Sequence, residues 1–188
     1  MQPFSESELT LRPLRLTDRC AFLRHFEDYV AHEPQLLGYL ARGRDDFPAF
    51  VKSLQLAPHL TRSKFDDVPT SYFWLFDKQQ RLLGSLNIRH ALTTDYLINE
   101  AGHIGFEIAP RFRHQGLGHQ ILALGLEKAQ QIGLTSVLLT CFADNLASKR
   151  VILSQNAQFE KVVQGEVHGQ AIEHYALILD RLGLFAVK

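Results

Sequence analysis

The chain has 188 residues, 46% of them hydrophobic and 21% charged, which is typical of one ordinary globular domain covering residues 1–188. Twenty acidic side chains balance twenty basic ones, so the overall charge indicates neither nucleic acid nor an anionic membrane as a partner. No apolar run approaches the ~20 residues that cross a bilayer, and the first ten residues lack the pattern of a signal peptide.

The N-terminal third is predicted to contain one short strand and two helices. Residues 9–16 have the pattern of a strand, and Pro13 within them indicates the edge of a sheet. A helix capped by Thr17 and Asp18 is predicted over DRCAFLRHFEDYVAHE, and Asp45 or Asp46 is expected to begin a second helix through FPAFVKSLQL. The polar stretch after that helix has no periodicity and is predicted to be a loop.

The remainder of the chain is richer in strands. The pattern predicts a hairpin of SYFWLFD and RLLGSLNIRHAL, a strand in AGHIGFEIAP, a helix from Gly118 to about Ile132 ended by Gly133, and a strand in SVLLTCFA. The continuous apolar run of SVLLTCFA is typical of a strand buried on both faces. A short helix in DNLASKRVILSQN and an antiparallel pair, QFEKVVQGEV and AIEHYALIL, complete an α/β chain.

The stretch RFRHQGLGHQIL, residues 111–122, places two glycines at the start of a predicted helix, where glycine costs stability. The flanking strands and this helix form one β-α-β unit, so the two strands should run parallel and a ligand should bind beyond their carboxyl ends. The first turn of a helix offers unpaired N–H groups and partial positive charge, which suit a phosphate. Gly116 and Gly118 would keep its path open and Arg113 would add charge. The alternative is a loop that uses glycine only to turn.

Two common phosphate-binding motifs do not fit these glycines. A P-loop needs Lys followed by Ser or Thr, and neither pair follows them. A dinucleotide-binding fingerprint needs a third glycine where this chain has Ile121, and a first glycine close to the strand end, where residues 110–115 intervene.

PRFRHQGLG resembles the P-x-x-R-x-x-G-x-G signature of the GNAT superfamily of N-acetyltransferases. LRPLRLTDRCAFL is similar to the first strand and helix of that family, GHIGFEIAP to its fourth strand, and SVLLTCFADNLASKRVI to its fifth strand and following helix. The last two segments are particularly similar to a branch of predicted bacterial acetyltransferases of unassigned substrate. The resemblance implies an acyl-CoA N-acyltransferase fold, with a central mixed, mostly antiparallel sheet of about seven strands flanked by about four helices.

The resemblance also implies acetyl-CoA as cosubstrate and assigns residues to it. Ile108, with Ala109 beside it, would pair with the pantetheine arm, and a backbone N–H group there would polarise the thioester carbonyl. Asn145 matches an asparagine that faces the cofactor in the family, with Ser148 a weaker candidate, although Asn145 is equally explained as a helix N-cap. Backbone N–H groups for the pyrophosphate would come from Arg113, His114, Gln115, Gly116, Leu117 and Gly118.

The implied reaction is direct attack of a primary amine on the thioester, which requires a base for the amine proton and can use an acid for the thiolate. The tyrosine that many members place after the asparagine is Ile152 here, and the glycine expected at the end of that helix is Asn156. Glu107 is the preferred base because burial in its strand would raise its pKa; an ordinary solvent-side carboxylate is the alternative. Tyr175 could supply a phenol, although a tyrosine there more often packs.

Other chemistry has little support. No histidine or cysteine spacing indicates a metal site, and Cys141 is expected to be a core residue. Cys20 and Cys141 form no CxxC motif, which favours free thiols and a cytoplasmic protein, while one disulfide stays compatible with the sequence.

The acceptor is not identified by the sequence. In this family it would be shaped by residues 29–70 and by the turn near His168, and both a small-molecule amine and a protein amine stay open. Four aspartates in the first of these segments could attract a cationic amine or simply cap helices and face solvent: Asp45, Asp46, Asp66 and Asp67. Many relatives form homodimers. The alternative function is an acyl-CoA-binding sensor or regulatory protein that has lost catalysis.

Overall fold

The computed structural model describes residues 8–38, 40–60 and 68–179. The strands in these ranges are β1 (Leu9–Arg12), β2 (Thr70–Asp77), β3 (Leu82–Arg89), β4 (Ile104–Ile108), β5 (Ser136–Phe142), β6 (Gln158–Gln164) and β7 (Ala171–Ile178). The α-helices are α1 (Arg19–His32), α2 (Leu40–Asp45), α3 (Phe47–Leu56), α4 (Leu117–Ile132) and α5 (Leu146–Leu153). The predicted α/β chain of about seven strands is confirmed, and the short helix α2 is an addition to the predicted helices.

The seven strands form two sheets whose ladders are all antiparallel. One sheet has the order β1-β2-β3-β4, and the other has the order β5-β7-β6. The prediction that β1 is an edge strand is confirmed, and the strand ends one residue before Pro13. The last two strands form the predicted antiparallel pair, with β7 between its two partners.

The strands β4 and β5 follow the predicted strand-helix-strand order but are not ladder partners within the described ranges. They meet near their beginnings, where the His103 N–H donates to the Leu138 carbonyl at 2.8 Å and the Leu138 N–H donates to His103 Nδ1 at 2.9 Å. The segment before β4 packs against β5, since a Cβ on Gly102 would lie 2.7 Å from the Leu138 carbonyl oxygen. Beyond these contacts, and counting only the described residues, each strand has one ladder partner, β3 for β4 and β7 for β5, and its other edge is open.

The four-stranded sheet separates two hydrophobic cores. Ile104 and Ile108 of β4 pack on the side of α4. On the other side, the Trp74 ring lies 5.8 Å from the Phe22 ring of α1 and 6.5 Å from the Phe50 ring of α3. Phe106 packs on the same side as Ile104 and Ile108. Because side chains alternate along a strand, Glu107 projects to the opposite side, towards α1.

Two predictions about local structure are wrong. Asp18 occupies the N-cap position of α1, but its side chain makes no capping hydrogen bond to the helix, because its carboxylate accepts hydrogen bonds from the Arg12 guanidinium, at 2.7 and 2.9 Å, and from the Arg15 N–H group. β5 is not buried on both faces: Val137, Leu139 and Cys141 are buried, while the alternate residues are exposed or half-buried. A run of apolar letters therefore concealed an ordinary alternating strand.

Other local predictions are confirmed. Asp46 caps α3 by accepting a hydrogen bond from the Ala49 N–H group at 3.0 Å, and Gly133 ends α4 in the left-handed conformation. Cys20 and Cys141 are both free thiols, and Cys141 is buried as expected. Among the described helices, none has the length and apolar character needed to span a bilayer.

Candidate active site

The turn between β4 and α4 presents a row of open backbone N–H groups. His114, with φ +60°, and Gly116, with φ +80°, have left-handed backbone, and α4 begins at the next residue. Within the described part of the chain, the N–H groups of residues 114–118 donate to no acceptor. Successive N–H groups in mixed right- and left-handed backbone form concave sites for anions, and the start of a helix adds partial positive charge.

Gly116 and Gly118 have different roles in this turn. A Cβ on Gly116 would meet no atom within 4 Å, so the space beside this residue of the turn is open. A Cβ on Gly118 would lie 2.9 Å from Cγ2 of Val151, so this glycine allows α4 and α5 to pack closely. The role of Gly116 in clearing the path of a phosphate therefore stays a prediction, whereas the absence of a side chain at Gly118 makes room for Val151.

The predicted positive charge of Arg113 is directed elsewhere. Its guanidinium makes two hydrogen bonds to the Glu33 carboxylate, at 2.5 and 2.7 Å, and Nε donates to the Ile108 carbonyl at 2.9 Å. Its backbone N–H donates to the Pro110 carbonyl at 3.3 Å. The guanidinium and the backbone N–H of Arg113, both expected to bind a phosphate, thus have partners within the protein. A phosphate at this turn would depend on the backbone N–H groups of the following residues.

The edge of β4 that does not pair with β3 exposes some of the backbone groups that the family resemblance assigns to a pantetheine arm. The Ala109 N–H donates to the Leu83 carbonyl at 2.9 Å, and the His103 carbonyl accepts from the Arg89 N–H at 2.8 Å. Because backbone groups alternate in direction along a strand, those of Gly105 and Glu107 also point to β3. The N–H groups of Phe106 and Ile108 therefore point away from β3, to the open edge. Pairing of Ile108 with a pantetheine arm stays a prediction, which now extends to Phe106, whereas the Ala109 N–H is used inside the sheet.

Glu107 is partly buried and projects towards α1. Its Oε1 accepts a hydrogen bond from the Ser85 hydroxyl at 2.8 Å. Burial raises the pKa of the Glu107 carboxyl above its usual value, although the hydroxyl groups of Ser85 and Tyr29 and the charge of Arg113 favour the ionised form, and Glu33 opposes it. A carboxylate with a raised pKa is suited to accept a proton near neutral pH.

The residues after β5 begin a helix close to the turn. Asn145 Oδ1 accepts a hydrogen bond from the Ser148 N–H at 3.0 Å, which confirms the N-cap role; contact of either residue with a cofactor stays a prediction. Ile152, at the position of the usual tyrosine, is buried in the core. Asn156 has a left-handed backbone with φ +62°, so it keeps the conformation for which glycine is expected.

Tyr175 lies in the three-stranded sheet and is buried. Its hydroxyl donates a short hydrogen bond to Glu173, whose other carboxylate oxygen accepts from Lys149 Nζ at 2.8 Å. Burial and the neighbouring Glu173 carboxylate raise the pKa of Tyr175 far above its usual value. The phenol therefore holds its proton tightly, and its role as a catalytic acid is a prediction that this geometry does not favour.

In the described parts of the predicted acceptor region, the acidic side chains bind neighbouring residues of the protein. Asp45 pairs with Arg44 at 2.5 Å, and Asp46 caps α3, whereas residues 66 and 67 lie outside the described ranges. At the second predicted position, His168 Nδ1 lies 2.7 Å from the Glu100 carboxylate. These contacts leave the acceptor unidentified.

A family model described as the acetyltransferase (GNAT) domain matches residues 8–157, and the chain belongs to this family. The sequence-based assignment is thereby confirmed. A search of curated protein sequences finds no significant match.

Solved structures with the same fold give the particular likenesses. RimL, a ribosomal L7/L12 alpha-N-protein acetyltransferase in complex with coenzyme A, is 20% identical with TM-score 0.64, over 93% of this chain and 96% of its own. The yncA protein of Salmonella typhimurium with its cofactor acetyl-CoA is 16% identical with TM-score 0.60, over 94% and 96%. A dodecameric spermidine N-acetyltransferase from Vibrio cholerae is 14% identical with TM-score 0.63, over 96% and 99%. At these identities the likeness establishes the fold.

Proposed function

We propose that this protein transfers the acetyl group of acetyl-CoA to a primary amine by direct attack of the amine on the thioester. The observation that supports this most strongly is the row of open N–H groups at residues 114–118, with no atom near the missing side chain of Gly116. Such a surface fits a pyrophosphate, since it offers hydrogen-bond donors and room for a bulky anion.

The residues of this chain would hold the coenzyme at two places. The N–H groups from His114 to Gly118 would bind the pyrophosphate, and the open edge of β4 would pair with the pantetheine amides. The coenzyme would supply an activated acetyl thioester. The N–H group of Phe106 or Ile108 would then stabilise negative charge on the thioester oxygen, because a fixed backbone dipole needs no reorientation during the reaction.

Glu107 would accept the proton that the amine must lose, directly or through water. An alkylamine is mostly protonated at neutral pH, so the base needs a pKa high enough to accept a proton and low enough to be ionised. Burial of Glu107 moves its pKa in the required direction. Its hydrogen bond to Ser85 would hold the carboxylate in place.

Protonation of the departing thiolate is assigned to solvent. Ile152 has no proton to give, and release of the Tyr175 proton would leave a phenolate beside the Glu173 carboxylate. Two negative charges at hydrogen-bonding distance are unfavourable. A thiolate of coenzyme A is itself a stable leaving group near neutral pH, by analogy with the cysteine thiol.

The loss of the usual acid also supports a second candidate, an acyl-CoA-binding sensor that does not catalyse transfer. The two candidates share the coenzyme site and differ at Glu107. A sensor needs no base, whereas an amine acetyltransferase loses turnover when Glu107 cannot accept a proton.

Calorimetric titration with acetyl-CoA, with NAD and ATP as controls, tests the shared part of the proposal. Selective binding of acetyl-CoA is expected, and equal or absent binding of all three would remove the coenzyme site. Thiol release should then be measured with two amine classes, peptides with a free N-terminus and polyamines such as spermidine. Turnover with either class that is lost in Glu107→Gln supports the enzyme; binding without turnover for both supports the sensor.

A further inference from the structure

Two ion pairs join the end of α1 to the segment that precedes residues 114–118, which are called the coenzyme turn below. Arg113 makes its paired hydrogen bonds to Glu33, 80 positions earlier in the chain. Arg111 donates to Asp28 through Nε at 2.9 Å and through its backbone N–H at 3.1 Å, across 83 positions. Both arginines of RFRH are therefore used to attach this segment to α1.

We propose that Glu33 is a positioning residue for acetyl transfer: through Arg113 it fixes the last carbonyl group of β4 and sets the balance of charge beside Glu107. This inference rests on the proposed function of Glu107 as the base. The pair of Glu33 and Arg113, with the Ile108 carbonyl that it holds, is called the clamp below.

The geometry of the clamp makes it suited to fixing a backbone group. The planar guanidinium uses two nitrogens on one carboxylate and Nε on the Ile108 carbonyl, so its orientation is determined from both sides. Glu33 is itself held, because its N–H donates to the Tyr29 carbonyl at 2.8 Å at the end of α1 and Pro34 follows it. The end of β4, beside the open Ile108 N–H group, is thus tied to α1.

The clamp also faces Glu107 with two opposite charges. Four groups on the surrounding elements act on its carboxyl: the Ser85 hydroxyl from β3, the Tyr29 hydroxyl from α1, the Glu33 carboxylate just after α1, and Arg113 from the segment after β4. Arg113 favours ionised Glu107, and Glu33 disfavours it. Removal of one half of the clamp should therefore move the titration of Glu107 in the opposite direction to removal of the other half.

The titration of the Glu107 carboxyl carbon can be followed by NMR in protein labelled with ¹³C-glutamate, with its resonance identified by its loss in Glu107→Gln. In Glu33→Gln the midpoint should fall below that of the wild type, because a repelling negative charge is removed. In Arg113→Gln it should rise, because an attracting positive charge is removed. In the double variant the two effects should largely cancel. Shifts in the same direction, or no shift in either single variant, would overturn the proposal.

Lys149→Gln is the matched control, because the Lys149 side chain is exposed to the same extent as that of Arg113 but pairs with Glu173 of the other sheet. It should leave the Glu107 midpoint unchanged. Arg113→Lys keeps the charge but loses the planar fork. It should titrate nearly as the wild type does and still lose turnover, measured as thiol release with an amine found by screening. Full turnover in Arg113→Lys would show that the fork does not position β4.

The titration needs no knowledge of the acceptor, so its result is independent of the proposed function. If the Glu107 midpoint does not move in opposite directions in Glu33→Gln and Arg113→Gln, the clamp is refuted even when the enzyme is active. Conversely, full activity of Glu107→Gln would refute the assigned base and leave the measured charge balance in place.

Discussion

Gly116 and Gly133 permit a matched test of the coenzyme turn. They precede and follow the same helix, α4, with φ of +80° and +102°, and a Cβ on either would meet no atom within 4 Å. Gly116→Leu and Gly133→Leu therefore impose the same kind of backbone strain in equally open surroundings. The difference is that only Gly116 lies among the open N–H groups of residues 114–118.

The expected magnitudes separate strain from blocked binding. A non-glycine residue in left-handed backbone costs about 1–2 kcal/mol, so both variants should unfold a few degrees lower than the wild type. A hydrogen bond to a charged group contributes about 1.5–3 kcal/mol. If the leucine at position 116 prevents one or two such bonds to the pyrophosphate, the affinity for acetyl-CoA should fall by about tenfold or more, since 1.4 kcal/mol is a factor of ten.

Thermal unfolding measures the first effect, and calorimetric titration with acetyl-CoA measures the second. Similar losses of stability in the two variants, with weakened binding only in Gly116→Leu, are expected. Wild-type affinity in both variants would refute the assignment of the turn to the pyrophosphate, because the strain is matched and only the position differs. Weakened binding in both would show that the helix responds as a whole and that no local obstruction is being measured.

Three other predictions concern the same site. Ser85→Ala should move the acid limb of turnover to higher pH, because the hydrogen bond that favours ionised Glu107 is removed. Glu107→Gln should have a higher free energy of unfolding than the wild type at neutral pH, and this gain should disappear on acidification. The reason is that a carboxyl with a raised folded-state pKa makes the wild-type folded state less stable as pH rises through that pKa. An unchanged pH-stability profile would contradict the burial of Glu107. Gly118→Leu should lower the unfolding temperature through contact with Val151, and adding Val151→Ala should recover part of the loss.

Periodicity and capping predicted most elements, because the signals for them are local. Gly133 ends a helix through a conformation that glycine adopts without strain, and Asp46 begins one through its own side chain. The division of the strands into two sheets was not predictable in this way. The two sheets meet at the segment before β4, where Gly102 lies against Leu138 of a strand more than thirty residues away, and no local pattern signals such a contact.

The candidate site was predicted in part for the same reason. Glu107 and Gly116 were identified from a local motif and a local alternation. Ser85, Tyr29 and Glu33 were not, because each reaches the site only through the tertiary fold, and serine, tyrosine and glutamate in a strand or helix give no signal of their own. A sequence motif thus located the backbone of the site but not the side chains that set its charge.

Arg113 shows why the chemistry of a motif cannot be assigned from residue types alone. An arginine beside a glycine-rich turn suggests a cation for a phosphate, yet here its charge is balanced by a carboxylate from α1. An anion site built on backbone N–H groups keeps its donors at every pH, and its dipoles remain when nearby side chains are paired. Arg113 instead joins the end of β4 to the residue that follows α1, through the Ile108 carbonyl and the Glu33 carboxylate.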